Sequence, residues 1–149
     1  MCLCYLLEVI MLKDPVLRTI TILMVPIIVL YGLYVQFHGD YSPGGGFQAG
    51  VIVAAAIIMY SMMFGVSTTL KAISPYIVRL MSGIGVLIYG MTGIISMFFG
   101  GNFLSYSVLT DNPVVGQELG IFLVEFGVGI TVCSSMLTLY FSFVSWCGE

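Results

Sequence analysis

The sequence predicts an all-α membrane protein with about four transmembrane helices, short loops and both termini in the cytoplasm. Hydrophobic residues make up 60% of the 149 residues and charged residues only 7%, a composition that excludes a soluble domain of this length. Apolar runs of about twenty residues, the length that crosses a bilayer, alternate with short stretches rich in glycine and proline. We therefore expect residues 1–149 to form a single transmembrane domain, with no room for a soluble one.

The first span is predicted over residues 16–37. Asp14 suits the N-cap of this helix, and Pro15 suits its first position, where a missing N–H costs nothing. Pro26 lies near the middle and should kink the helix. The residues before this span lack the basic start of a signal peptide, and Met11 offers a second possible start. Two starts therefore remain open, Met1 and Met11, and with the second of them residues 1–10 would be an extension.

Three more spans are predicted, over residues 47–64, 76–99 and 118–145. The second contains no charged residue, and the third opens with Ser74 and Pro75, which repeat the cap and proline of the first. Residues 66–74 are predicted as a loop, and residues 102–116 as a longer connection. Glycines recur along the third and fourth spans, which indicates close packing against other helices.

The cationic residues predict the orientation. Lys13, Arg18, Lys71 and Arg79 are the only lysines and arginines, and all lie at the N-terminus or between the second and third spans. With four spans, both regions face the same side of the membrane. The positive-inside rule places that side, and both termini, in the cytoplasm.

The stretch 37–50 is the one polar, glycine-rich segment between long apolar runs, and we call it the glycine loop. Pro43 suits a first helical position, and three glycines follow it. Gly46, Gly50 and Ala54 recur every four residues, so the next helix begins with a small-residue face. Two interpretations remain open, a tight connection between packed helices and an ion-handling helix entrance.

Four titratable residues on the outer half are candidates for an ion or proton path: His38, Asp40, Glu118 and Glu125. The lone histidine titrates near neutral pH, which would suit a proton relay, although a solvated loop residue is the alternative for His38 and for Asp40. Glu118 suits the first turn of the last helix, where the helix dipole favours an acid.

Two positions in the bilayer remain open for Glu125. If Trp146 marks the inner interface, residues 126–146 already span the bilayer and Glu125 sits at its outer edge. If the span is shifted outward, Glu125 is immersed by about two helical turns, where ionisable groups usually serve a polar pathway or a partner.

Several classes of function are excluded by the sequence. The glycine loop lacks the Lys-Ser or Lys-Thr of a phosphate-binding loop, and no arrangement of serine, cysteine and histidine indicates a nucleophile. The four cysteines lack zinc-ligand spacing. A net charge of −3 that rests on few groups indicates no nucleic-acid partner. We expect neither an enzyme nor a cofactor.

The run Pro43-Gly44-Gly45-Gly46-Phe47, with Gly50 beyond it, resembles the signature of the MnhB/MrpB family. These are B subunits of Mrp-type multisubunit cation/proton antiporters. The opening of the last span, Glu118-Leu119-Gly120, is similar to the family's acidic-Leu-Gly pattern. One departure is that Asp40 stands where the family often has histidine, and His38 lies two residues earlier, so a histidine-specific role does not transfer to Asp40.

The resemblance implies a subunit of a hetero-oligomeric complex that exchanges Na⁺ for H⁺ across the cytoplasmic membrane. Its partners would be the other antiporter subunits and the lipid bilayer, and the ions would be transported, not bound as cofactors. The chain would contribute to assembly and to the cation path. Two alternatives remain, a purely structural four-span interaction subunit and a B-like subunit of a membrane-bound hydrogenase-type ion-translocating complex.

Overall fold

Four long helices make up most of the molecule. The computed structural model describes residues 14–39, 45–110 and 112–148. Each of the four helices is long and apolar enough to cross a membrane, and the described residues contain no strand. The predicted class, an all-α membrane protein with four spans, is confirmed. The helices are α1 (Pro15–Phe37), α2 (Gly46–Phe64), α4 (Pro75–Phe98) and α5 (Pro113–Gly148), with a short α3 (Val66–Ala72) and a 3₁₀ helix (Tyr106–Val108) between them.

Some of the predicted residues lie outside the described part of the chain. Residues 1–10 are among them, and so are Asp40 and the first two residues of the motif, Pro43 and Gly44. The predicted orientation of the termini also stays a prediction, because no membrane accompanies the helices. We therefore name the end that carries Pro15 the terminal side, and the end that carries the glycine loop the loop side.

The connection between α2 and α4 was wrongly predicted as a loop, because residues 66–72 form a helix. Gly65, with φ of 86°, separates α2 from α3 in a backbone conformation that favours glycine. The Gly65 carbonyl then accepts hydrogen bonds from the start of α3. The Thr69 N–H and the Thr69 hydroxyl lie 3.3 and 3.4 Å from its oxygen. The chain restarts a helix immediately after the break, so no extended loop remains.

The last helix begins five residues before the predicted start at residue 118. Pro113 occupies its first turn, and the Asn112 carbonyl accepts a hydrogen bond from the Gly116 N–H at 3.1 Å. The glycines at this end of α5 were predicted to serve packing, and a Cβ at Gly116 or Gly120 would overlap Tyr106 of the 3₁₀ helix. The connection before α5 is correspondingly shorter than predicted.

The four long helices pack in the order α1, α2, α5, α4, so the last helix lies between the second and the fourth. Helices α2 and α5 run in the same direction. Gly46 lies against Glu125, Gly50 lies against Gly129, and the Tyr140 hydroxyl donates to the Ser61 hydroxyl at 3.2 Å. Each of these pairs is 79 residues apart in the chain, so the two helices keep one register from the loop side to the terminal side.

Small residues create the contact between α4 and α5. A Cβ at Gly85 would lie 2.7 Å from the Gly127 carbonyl oxygen, and one at Gly127 would lie 2.9 Å from the Gly85 oxygen. The glycines thus face one another and let the two backbones approach closely. Towards the terminal side the packing is apolar, with Ala54, Val78, Leu137 and Phe141 buried together.

Most buried hydroxyl groups satisfy their hydrogen bonds within their own helix. The Ser96 hydroxyl donates to the Thr92 carbonyl at 3.0 Å, and that of Ser134 donates to the Ile130 carbonyl at 2.6 Å. Such bonds allow a hydroxyl to lie in an apolar interior without a partner on another helix. The buried side chain that departs from this pattern is Gln36, described below.

Candidate functional site at the glycine loop

Three elements meet on the loop side: the end of α1, the start of α2 and the part of α5 that begins at Glu125. The contact between them is close because glycines occupy the positions that face α5. The glycine loop is therefore packed against the last helix. Its described glycines Gly39 and Gly45 place their backbone next to a carboxylate.

The Glu125 carboxylate lies against the backbone of two glycines. A Cβ at Gly45 would be 2.6 Å from Oε1 of Glu125, and a Cβ at Gly39 would overlap Oε2. At Gly46 the added carbon would overlap the Glu125 carbonyl oxygen. Any larger residue at these three positions would displace Glu125, so the glycines are required for this approach.

One turn further along, the same two helices remain in close contact. A Cβ at Gly50 would lie 2.5 Å from the Gly129 carbonyl oxygen, and Gly129 in turn lies beside the carbonyl of Gly46. Gly46, Gly50 and Ala54 are all buried, so the small-residue face at the start of α2 is the face that α5 covers. Phe47, the last residue of the motif run, points away from this contact and is 59% exposed.

Glu125 is half-buried and lies well below the loop-side ends of α4 and α5. Gly127 packs beside the Tyr89 backbone, and α4 continues for nine more residues to Phe98, about 13 Å at 1.5 Å per residue. Helix α5 begins twelve residues before Glu125, about 18 Å away. Because α1 ends and α2 begins at the level of Glu125, these two helix ends are recessed relative to α4. This geometry favours the immersed alternative for Glu125.

Two further candidate residues, Glu118 and His38, are described outside this contact. Glu118 is exposed and lies two turns towards the loop side, about 10 Å along the axis of α5. His38 is also exposed, and its Nδ1 lies 3.2 Å from the Tyr34 carbonyl oxygen. Its ring stacks on Tyr34 with centroids 4.2 Å apart, so His38 is tied to its own helix.

Aromatic side chains join α1 to α5 on the outer face of the site. Phe37 stacks on Phe122 with ring centroids 5.8 Å apart, and Phe122 lies 6.2 Å from Phe126. On α5, Phe122 lies three residues before Glu125 and Phe126 directly follows it. They add apolar surface beside the carboxylate, which raises the cost of charge there.

One residue of this region was missed by the sequence analysis. Gln36, in the last turn of α1, is only 6% exposed, and its Oε1 lies beside Gly129. Its amide nitrogen has no hydrogen-bond partner, and no other buried side-chain nitrogen or oxygen of the described residues is in that position. The sequence did contain a signal, a single amide side chain in a mostly apolar span. It was overlooked because an amide near a helix end is also expected at the membrane interface.

No group of three or more histidine, cysteine, aspartate or glutamate side chains in the described residues could hold a metal ion. Among the described residues, the site consists of one carboxylate of α5 that lies against the backbone of Gly39 and Gly45, with an amide one turn below it. A single carboxylate can bind a proton or a cation, but not both at once. That exclusion is the elementary chemistry on which an exchange of the two depends.

Comparison with known proteins identifies the family. Residues 16–138 match the family model described as "Domain related to MnhB subunit of Na+/H+ antiporter". The chain belongs to the MnhB family. The matched region contains α2 and α4 entire, α1 except Pro15, the glycine loop and Glu125. The resemblance drawn from the proline and glycine motif is thereby confirmed, and with it the assignment to a family of antiporter subunits in the membrane.

The MnhB relatives include proteins of Staphylococcus aureus. The chain is 41% identical over 134 residues to the protein named "Putative antiporter subunit mnhB2" in strains Newman, USA300 and COL. The alignment covers 83% of this chain and 94% of each relative. The MnhB similarity therefore extends over nearly the whole of each relative, not over the motif alone.

Proposed function

We propose that the chain is the B subunit of a multisubunit Na⁺/H⁺ antiporter in the cytoplasmic membrane, and that Glu125 is its ion-handling residue. The observation that carries the second part is the placement of the Glu125 carboxylate, half-buried against the glycine loop and recessed below the ends of α4 and α5. Membership of the MnhB family supports the first part. A transport role also agrees with the absence of a nucleophile or a nucleotide-binding motif in the sequence.

A carboxylate at this depth is costly, which supports a functional reason for keeping it. The glycines at positions 39 and 45 allow the carboxylate to lie directly against their backbone. In the proposed role, Glu125 holds a proton when the cation is absent and releases it when a cation binds. The large neighbouring subunits would carry the rest of the path.

The test is Na⁺-driven proton movement in everted vesicles that carry the whole complex. Glu125→Gln keeps the size of the side chain and removes its charge, so exchange should be lost while native gels show an intact complex. Glu118→Gln is the matched control, because it makes the same change on the same helix at an exposed position. Exchange that survives Glu125→Gln would refute the role of this residue and leave a structural subunit.

A further inference from the structure

A groove runs along one face of the helix row, between α1 and α4. Helices α2 and α5 form its floor, and its volume is about 350 Å³. Gln36 lies at its loop-side end, and Ile77 and Leu137 lie towards the terminal side. We call it the α1–α4 groove. The side chains that define it are Leu33, Gln36, Ile77, Met81, Ile130 and Leu137.

The groove is apolar except at a few positions, and only one of these has an unmet hydrogen bond. Ser134 lines the groove, but its hydroxyl donates to the carbonyl of Ile130 within its own helix. Gln36 also lines the groove, and its amide nitrogen has no partner among the described residues. An amide that is buried in apolar surroundings without a partner is expensive, so a missing acceptor is indicated.

The chemistry of the groove selects its occupant. Lipid acyl chains would fill an apolar groove but offer no hydrogen-bond acceptor to the amide. A polypeptide helix offers apolar side chains along its length and oxygen atoms at chosen positions. The Gln36 amide can present either its nitrogen or its oxygen to such a helix, because turning it about its last torsion exchanges the two atoms without moving the rest of the side chain.

The residues that line the groove at the level of Gln36 are small. Gly32, Ala49, Gly50 and Gly129 all line this end of the groove. The side chains that line the groove are thus smallest at the level of the Gln36 amide nitrogen, which has no partner.

We infer that the α1–α4 groove binds a transmembrane helix of another subunit, which presents a hydrogen-bond acceptor at the level of Gln36. The acceptor is a side-chain oxygen or a carbonyl freed at a helix break. This inference rests on the proposed role as a subunit of a complex. It does not depend on Glu125, since that residue does not line the groove.

The test places a photoreactive diazirine amino acid at Leu33, one turn from Gln36 in the groove, in the complete complex. Mass spectrometry then identifies the adduct. An adduct with a different subunit is expected. Adducts with lipid alone, or with a second copy of this chain, would overturn the inference. Leu30 is the matched control position, since it is on the same helix and 65% exposed but does not line the groove.

The role of the amide is tested by Gln36→Met, which keeps an unbranched side chain of similar length without a donor. The subunit adduct from position 33 should fall at least several-fold, while any adduct from position 30 should not change. An unchanged adduct from position 33 would overturn the assigned hydrogen bond. If the variant chain fails to accumulate, the identity of the adduct in the chain with native Gln36 still decides between subunit and lipid. Because cross-linking is read without transport, a failed Glu125 test and a failed groove test are distinguishable.

Discussion

A Cβ built on Gly45 lies 2.6 Å from Oε1 of Glu125, so the carboxylate occupies the space that a side chain at position 45 would need. The two residues are far apart in the chain and belong to different helices. Their contact joins the glycine loop to the last span. It also explains why position 45 is glycine: a side chain there would meet the carboxylate, whatever the backbone conformation.

Gly45→Ala should leave the fold intact and impair transport. The backbone at Gly45 is extended, with φ of −138°, a conformation that any residue adopts. The atom that alanine would meet is the end of a flexible side chain, so Glu125 can move aside. A carboxylate displaced by about 1 Å should lower exchange by roughly tenfold or more. The measurement is Na⁺-driven proton movement in vesicles with assembly checked by native gel, and normal exchange would contradict it.

Gly85→Ala and Gly90→Ala should have opposite effects on stability, although both change the middle of α4 in the same way. A Cβ at Gly85 would overlap the Thr131 hydroxyl and lie 2.7 Å from the Gly127 carbonyl oxygen, whereas nothing lies within 4 Å of one at Gly90. Overpacking at position 85 should cost about 1–3 kcal/mol. Alanine at position 90 should be neutral or stabilising by up to about 1 kcal/mol.

Thermal unfolding of the purified chain in detergent measures this pair of variants. Gly83→Ala serves as a second open position, because a Cβ there also meets nothing within 4 Å. A lower midpoint for Gly90→Ala than for Gly85→Ala would contradict the packing of α4 on α5. In the assembled complex, the Gly83 and Gly90 variants test instead whether another chain covers this face of α4.

The hydrogen bond between Tyr140 and Ser61 should be worth little. It is the polar contact that fixes the terminal-side register of α2 and α5, with an oxygen to oxygen distance of 3.2 Å. Hydrogen bonds between membrane helices average about 0.6 kcal/mol in double-mutant cycles. A cycle of Tyr140→Phe and Ser61→Ala, read by reversible unfolding in detergent, should give a coupling energy of about that size. A coupling indistinguishable from zero would show that packing alone sets the register.

The positions of the spans could be predicted from the sequence, because hydropathy and proline caps act locally. Three predicted spans agree with α1, α2 and α4 to within one residue at each end. The short helix α3 was missed because only Gly65 interrupts it from α2, and a glycine there is equally compatible with a loop.

The pairing of the helices could not be predicted. In an apolar environment both the packed and the lipid-facing sides of a span are hydrophobic, so periodicity does not show which residues lie inside. The fixed register of α2 on α5 decides which glycines lie against Glu125 and how far Gln36 is buried. Neither feature could be predicted from the sequence, because both depend on the contacts of Gly46 and Gly50 with residues that are remote in the chain.

The orientation of the chain is a further prediction that cysteine labelling can test. Arg18, Lys71 and Arg79 all lie on the terminal side, and Arg18 lies over the Phe64 ring at 5.0 Å from its centroid. The positive-inside rule places that side in the cytoplasm. With the native cysteines replaced by serine, Asn102→Cys on the loop side should react with an impermeant maleimide applied to intact cells. Ser67→Cys in α3, which is likewise exposed, should react only after permeabilisation. The reverse pattern would place the glycine loop and Glu125 at the cytoplasmic end, and the proposed cation path would then have to open on the opposite side.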